Sequence, residues 1–200
     1  GYGMTECGPA IAFDHWQTFR PTSCGRAVDR MEIRIDSPDP FKQVGEILTK
    51  GMNVMDGYYN NPEASNTVLS PDGWLHTGDL GVLDPDGYLY IKGRSKSLIL
   101  GPSGQNIYPE EIEDLLNAQP YIAESLVIER EGKLVALVYP DAEAMKQNKI
   151  SREALLKIIH ETRKQINQQI PAYSQIARIE IHDEEFEKTP KRSIKRFLYQ

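Results

Sequence analysis

Two Pro-Asp-Gly triplets, Pro71-Asp72-Gly73 and Pro85-Asp86-Gly87, each lead into an extended, aromatic-containing run, WLHTGDLGVLD and YLYIKG. Proline presets one turn dihedral and glycine supplies a positive φ, so each triplet turns the chain back on itself. Upstream, Met31, Ile33 and Ile35 alternate with polar neighbours, and residues 44–50 form another short extended run closed by Gly51. Asn61-Pro62-Glu63 combines an N-cap, a proline at the first helical position and an acid in the first turn, which predicts a short helix to about Leu69. Together these signals predict a twisted, mostly antiparallel β unit ending near Gly93.

After Arg94 the texture changes. Pro109-Glu110-Glu111 opens an amphipathic helix with Ile112, Leu115 and Leu116 on one face. Extended runs over 123–129 and 133–139 are joined by a Glu131-Gly132 turn. Ser151 then caps a long helix whose apolar positions Leu155, Ile158, Ile159 and Ile166 keep helical spacing until Pro171, and Ile176, Ile179 and Ile181 suggest a further strand. The expected organisation is a β unit over 1–94 and a small α+β domain over 95–200, separated at 93–97.

Composition bounds the function. The chain has 200 residues, 40% hydrophobic and 26% charged, with a net charge of −6, which argues against a global pull on nucleic acid or an anionic membrane. No apolar run reaches the length of a bilayer span. Cys7 and Cys24 are too few for a disulfide-dense scaffold and fit no zinc spacing, so a reducing, cytoplasmic setting is expected and both are read as structural. The opening at GYGMTE, with no initiator Met and no leader, is expected to mark a piece of something longer.

The chemistry-bearing residues are scattered. In GYGMTE the glycines let backbone approach a ligand, Thr5 offers a hydroxyl and Glu6 a hard carboxylate suited to phosphate-bound Mg²⁺; a plain turn is the alternative. HTGDLG is expected to place Asp79 in a tight turn between strands, either accepting two hydrogen bonds from a ribose diol or satisfying its own turn amides. Asp84-Pro85-Asp86-Gly87 reads as a hairpin turn and not a calcium loop. Arg94, at the junction, is either an anion ligand or a surface ion pair. The tail concentrates Lys188, Lys191, Arg192, Lys195 and Arg196, and its alternation with Ile194 and Phe197 suggests that it is anchored.

In their fixed order these segments resemble the adenylate-forming superfamily of acyl-CoA synthetases, peptide-synthetase adenylation domains and firefly luciferase. GYGMTE resembles that family's YGxTE; GEILTKGMNVMDGYYNNPEAS its glycine-rich β segment; DGWLHTGDLG and GYLYIKGRSK its nucleotide and hinge motifs; GQNIYPEEIE the start of its mobile domain. The resemblance implies an α+β fold: a small distorted antiparallel β-barrel subdomain, ending a larger N-terminal domain, followed by a mobile α+β C-terminal domain that packs on the rest of that N-terminal domain. It implies activation of a carboxylate with ATP as acyl-AMP, then transfer to coenzyme A. By position, Tyr2 and Gly3 would lie at the nucleotide, with Tyr2 against adenine. Thr5 would bind the α-phosphate, Glu6 would hold Mg²⁺, and Asp79 would take the ribose hydroxyls with Arg94 assisting. Lys96 would be the hinge, Gly104 would pass close to the pantetheine thiol, and Lys195 would be the adenylation lysine, with Lys191 as competitor.

Three features, Leu100 where many members carry lysine, Asn106 near a position often basic, and the PKRSIK tail in place of PKxxxGK, resemble the bacterial long-chain fatty acid–CoA ligase branch. The expected partners are therefore ATP/AMP, a fatty acid and coenzyme A, with room for peripheral membrane contact and none for nucleic acid. The alternatives are an aminoacyl or aryl adenylation enzyme, or a non-catalytic binding module that keeps the fold. The phosphate loop and acyl pocket of the superfamily lie upstream of YGxTE, so these residues alone are expected to be inactive.

Overall fold

A computed structural model describes residues 1–190 and 192–200. The chain divides into two compact units, Gly1–Lys96 and Ser97–Gln200.

The first unit contains β1 (Tyr2–Gly3), β2 (Ala10–Phe13), β3 (Arg26–Ala27), β4 (Met31–Asp36), β5 (Gly45–Gly51), the helix α1 (Pro62–Val68), β6 (Leu75–Leu83) and β7 (Leu89–Arg94). Strands β4-β5-β6-β7 form one antiparallel sheet in sequence order, and β1-β2-β3 form a second, smaller one. The N-cap expected at Asn61 is present, its Oδ1 accepting the Ala64 amide at 3.0 Å. Likewise, the Asp84 carboxylate accepts the amides of Asp86 and Tyr88, so the Pro85-Asp86-Gly87 segment closes as a hairpin turn.

The expected β-barrel is corrected: among the described residues no sheet closes, and β4 and β7 are the two edges of an open sheet. Four strands are too few to curl back on themselves around a filled interior. The apolar face is covered instead by the small sheet, with Ala12 against Ile35, Ile47 and Leu89, and Ile11 against Met31 and Leu75. Short backbone hydrogen bonds tie the two, Cys24 N to Leu89 O at 2.8 Å and Leu89 N to Gly25 O at 2.9 Å.

The second unit contains β8 (Ile99–Leu100), β9 (Asn106–Ile107), α2 (Pro109–Asn117), β10 (Ile122–Arg130), β11 (Lys133–Pro140), α3 (Ala142–Gln147), α4 (Arg152–Asn167) and β12 (Ile176–Ile181). Its sheet order is β10-β11-β12. The β10–β11 hairpin turns through Glu131 and Gly132, both at positive φ, while β12 returns parallel to β11 after the α4 crossover. Strand periodicity sorts the side chains cleanly. Val127, Leu134, Ala136 and Val138 meet Ile112 and Leu116 of α2 and Leu155, Ile159 and Ile166 of α4. Leu126, Ile128, Val135 and Leu137 point the other way, where Phe186, Ile194 and Tyr199 of the C-terminal tail cover them. The tail is anchored as expected at Ile194, but Phe197, the other half of that alternation, is exposed, and Phe186 and Tyr199 supply the remaining apolar anchors. No helix among the described residues is long and apolar enough to cross a membrane.

Candidate nucleotide site

Asp79 lies inside β6 and not in the tight turn expected of HTGDLG. What looked like a turn is an irregular strand. Gly78 adopts φ +73°, and the register shifts against β5 between Glu46 and Leu48 and against β7 between Leu80 and Gly81. Such bulges re-aim a side chain without ending the strand. The irregularity is held from β5: Glu46 Oε1 accepts the Gly78 amide at 2.9 Å, and Glu46 Oε2 lies 2.8 Å from His76 Nδ1. Thr77 donates its hydroxyl to Ile47 O at 2.8 Å and accepts the Asp79 amide at 3.1 Å.

The result is a carboxylate with set partners. Asp79 is 8% exposed; its Oδ2 accepts the Tyr2 hydroxyl at 2.7 Å and its Oδ1 faces Arg94 Nε at 3.0 Å. Asp79 and Arg94 are direct cross-strand partners, which brings a charged pair together on one face. The Asp79 carboxylate therefore does not close its own turn. Burial of the Tyr2 hydroxyl, together with its nearness to the Asp79 charge, drives its pKa far up, so it stays a neutral donor. An ionised carboxylate offers about four lone-pair directions, and two are engaged here. Arg94 keeps most of its side chain in solvent, able to meet an anion from the other side.

The GYGMTE segment runs from β1 into a single tight helical turn over Thr5–Cys7. Gly3 is required by packing: a Cβ there would fall 1.8 Å from the Pro9 carbonyl oxygen. Thr5 is exposed. Glu6 Oε1 accepts the Tyr58 hydroxyl at 3.1 Å, whereas Glu6 Oε2 is buried with no hydrogen-bond partner. An oxygen so placed fits a hard cation, because its desolvation is otherwise uncompensated. Beside it, burial and the Glu6 charge push the Cys7 thiol up to about 11, away from the reactive thiolate. Cys7 is fully buried in the core, consistent with a structural role.

Tyr2, Gly3, Thr5, Glu6, Asp79 and Arg94 thus belong to one unit, with Tyr2 linking the GYGMTE segment to Asp79. Lys96 is exposed in a short helical turn over Ser95–Ser97. In the second unit, Gly104 occupies an exposed turn at φ +79° between β8 and β9, where a Cβ would meet open space. Lys195 places its Nζ 3.1 Å from Glu187 Oε2. Its competitor Lys191 lies outside the described residues.

Sequence reasoning missed Glu46 and Tyr58, which hold the Asp79 strand and Glu6. It also missed Glu113, whose carboxylate takes Arg196 Nη1 on both oxygens at 2.8 and 3.0 Å. Glu46 is adjacent to the HTGDLG run only through strand pairing, so the available signal was two polar segments predicted to be neighbouring strands. For Glu113, an acid on the apolar face of an amphipathic helix was the available signal.

Residues 1–59 match the AMP-binding enzyme family, and residues 96–199 match the AMP-binding enzyme C-terminal domain. Over 138 residues the chain is 40% identical to 4-coumarate–CoA ligase 5 of Oryza sativa subsp. japonica, covering 64% of this chain and 25% of that protein. It is 38% identical over 138 residues to a long-chain-fatty-acid–CoA ligase of Gallus gallus, covering 68% of this chain and 18% of that protein. Among solved structures, O-succinylbenzoate coenzyme A synthetase from Bacillus subtilis, in complex with ATP and magnesium ion, superimposes with a TM-score of 0.77 at 29% identity. That match covers 98% of this chain and 40% of the synthetase. The chain thus spans about a quarter of the length of the rice ligase.

Proposed function

The chain belongs to the AMP-binding enzyme family, and from that membership we propose that it is part of an adenylate-forming ligase that activates a carboxylic acid with ATP and passes the acyl group to coenzyme A. The observation that carries this reading is the Tyr2–Asp79–Arg94 cluster together with, in the same unit, a Glu6 oxygen that is buried and unpartnered.

In the first half-reaction a substrate carboxylate oxygen attacks the α-phosphorus of ATP, pyrophosphate leaves and acyl-AMP forms. In the second, the coenzyme A thiol attacks the acyl carbon and AMP leaves. Asp79 accepts the ribose hydroxyls on its free lone pairs while Tyr2 and Arg94 fix its orientation, and the half-buried Tyr2 ring lies against adenine next to Gly3. Thr5 donates its hydroxyl to an α-phosphate oxygen. Glu6 would hold Mg²⁺, which when bound would supply charge neutralisation on the polyphosphate. Lys195 donates to the oxygens where negative charge gathers during adenylation, the kind of preorganised donor worth most in a water-poor site. Lys96 is the hinge between the half-reactions, and Gly104, which presents bare backbone, is the point of passage for the pantetheine arm. A cytoplasmic setting belongs to the same reading, in keeping with two free thiols at Cys7 and Cys24.

For the acid, an aromatic carboxylate is the better supported class. The rice relative and the Bacillus subtilis synthetase are both named for aromatic acids, and the latter covers nearly all of this chain. The long-chain reading rests on Leu100, Asn106, the PKRSIK tail and the Gallus gallus relative. Product analysis with the intact enzyme, ATP, coenzyme A and a panel of acids tests this. 4-Coumaroyl-CoA or 2-succinylbenzoyl-CoA with little palmitoyl-CoA is expected; palmitoyl-CoA as the main product would return the assignment to long-chain acids.

A further inference from the structure

The tail that carries Lys195 is fastened on both sides of that residue. Ile194 packs into the cluster under β10 and β11, and the Lys195 amide donates to the Glu187 carbonyl at 2.8 Å. The Tyr199 hydroxyl accepts the Glu187 amide at 2.8 Å, and the Tyr199 ring meets Phe186 edge-on at 5.2 Å. The strongest attachment is Arg196. Its Nη1 binds both Glu113 oxygens and its Nη2 donates to Val127 O at 3.0 Å, while Glu113 Oε1 also accepts the Val127 amide at 2.6 Å. The two side chains are 19% and 11% exposed.

A pair this dry is a poor source of stability, since desolvating both ions offsets most of their attraction and an apolar pair of similar shape often serves as well. Burial even pushes the Glu113 carboxyl up, against the pull of Arg196. What the pair does supply is geometry. A guanidinium fork on two carboxylate oxygens and a β10 carbonyl fixes direction as well as distance. Arg196 is the residue next to Lys195, so the fork sets where the Lys195 backbone sits relative to α2 and β10.

We infer that Glu113 and Arg196 are positioning residues that hold Lys195 for the adenylation half-reaction. The inference rests on the role proposed above for Lys195. Misplacing a catalytic group by about 1 Å costs on the order of a hundredfold in rate.

The test uses the intact enzyme and measures two rates separately: acid-dependent adenylation, and thioester formation from supplied acyl-AMP. Arg196→Gln and Glu113→Gln are expected to lower adenylation kcat by about 10- to 100-fold with KM for ATP unchanged. Thioester formation should stay at the wild-type rate. Arg196→Lys keeps the charge without the fork and should recover part of the loss; it is read by the same split if Arg196→Gln fails to fold. Equal loss in both half-reactions, or wild-type adenylation in a folded Arg196 variant, overturns the inference. Lys195→Ala is the reference: wild-type adenylation there overturns both the Lys195 role and the inference. Loss in Lys195→Ala with wild-type rates in the Arg196 variants overturns the inference alone.

Discussion

With Tyr2 on one oxygen and Arg94 on the other, the Asp79 carboxylate is oriented before any ligand arrives. A hydrogen bond to a charged group contributes about 1.5–3 kcal/mol, so Asp79→Ala should weaken ATP binding by about that amount in the intact enzyme. Calorimetric affinity measured beside the melting temperature decides the point, because an unchanged affinity with a lowered melting temperature would make Asp79 purely structural. HTGDLG singled out Asp79 as a candidate, but not its setting inside a strand. Tyr2 is 77 residues away in sequence, and no local pattern reports a hydrogen bond of that separation. Glu6 repeats the lesson: its residue type pointed to a cation, whereas the buried, unpartnered Oε2 is a property of packing.

At the scale of elements, turns and caps carry their own signals, which is why Asn61 and Ser151 were readable; the Ser151 hydroxyl accepts the Ala154 amide at 3.1 Å. Asp84 shows how such a turn also responds to pH. Burial works against its ionisation, yet the Tyr88 amide and the Arg20 guanidinium at 2.5 Å outweigh it and hold the carboxyl below the usual range. The folded value is thus lower than the unfolded one. Its stabilisation is complete above the ordinary carboxylate value of about 3.9 and is lost as pH falls through the lowered folded value. Asp84→Asn should therefore flatten the acid side of a melting-temperature profile; an unaltered slope would show that the Arg20 contact does not affect stability. The parallel return of β12 was not legible, since three isoleucines state a strand but not its partner. Helix α3 was missed because it is short, with a single Asp141 cap as its signal. The barrel came with the family resemblance; the turn and strand signals stated only a twisted antiparallel unit, and its four-stranded sheet stays open, its apolar face covered by the smaller sheet.

For the molecule as a whole, the division after Lys96 separates the Asp79 cluster from the Lys195 tail in the chain. In the proposed cycle the second unit serves two half-reactions in turn, and Lys96 lies at the last residue before it. Proline fixes φ and removes an amide donor. Lys96→Pro should slow thioester formation more than adenylation, measured as single-turnover rates in the intact enzyme; equal slowing would indicate general damage and no hinge at this residue. The central claim is that this chain belongs to an enzyme that makes an acyl-adenylate, and isotope exchange between pyrophosphate and ATP tests it most directly. Labelled pyrophosphate should enter ATP in the intact enzyme only when a carboxylic acid is present, fastest with an aromatic one and before any coenzyme A is added. No exchange with any acid, or exchange indifferent to the acid, would contradict the account.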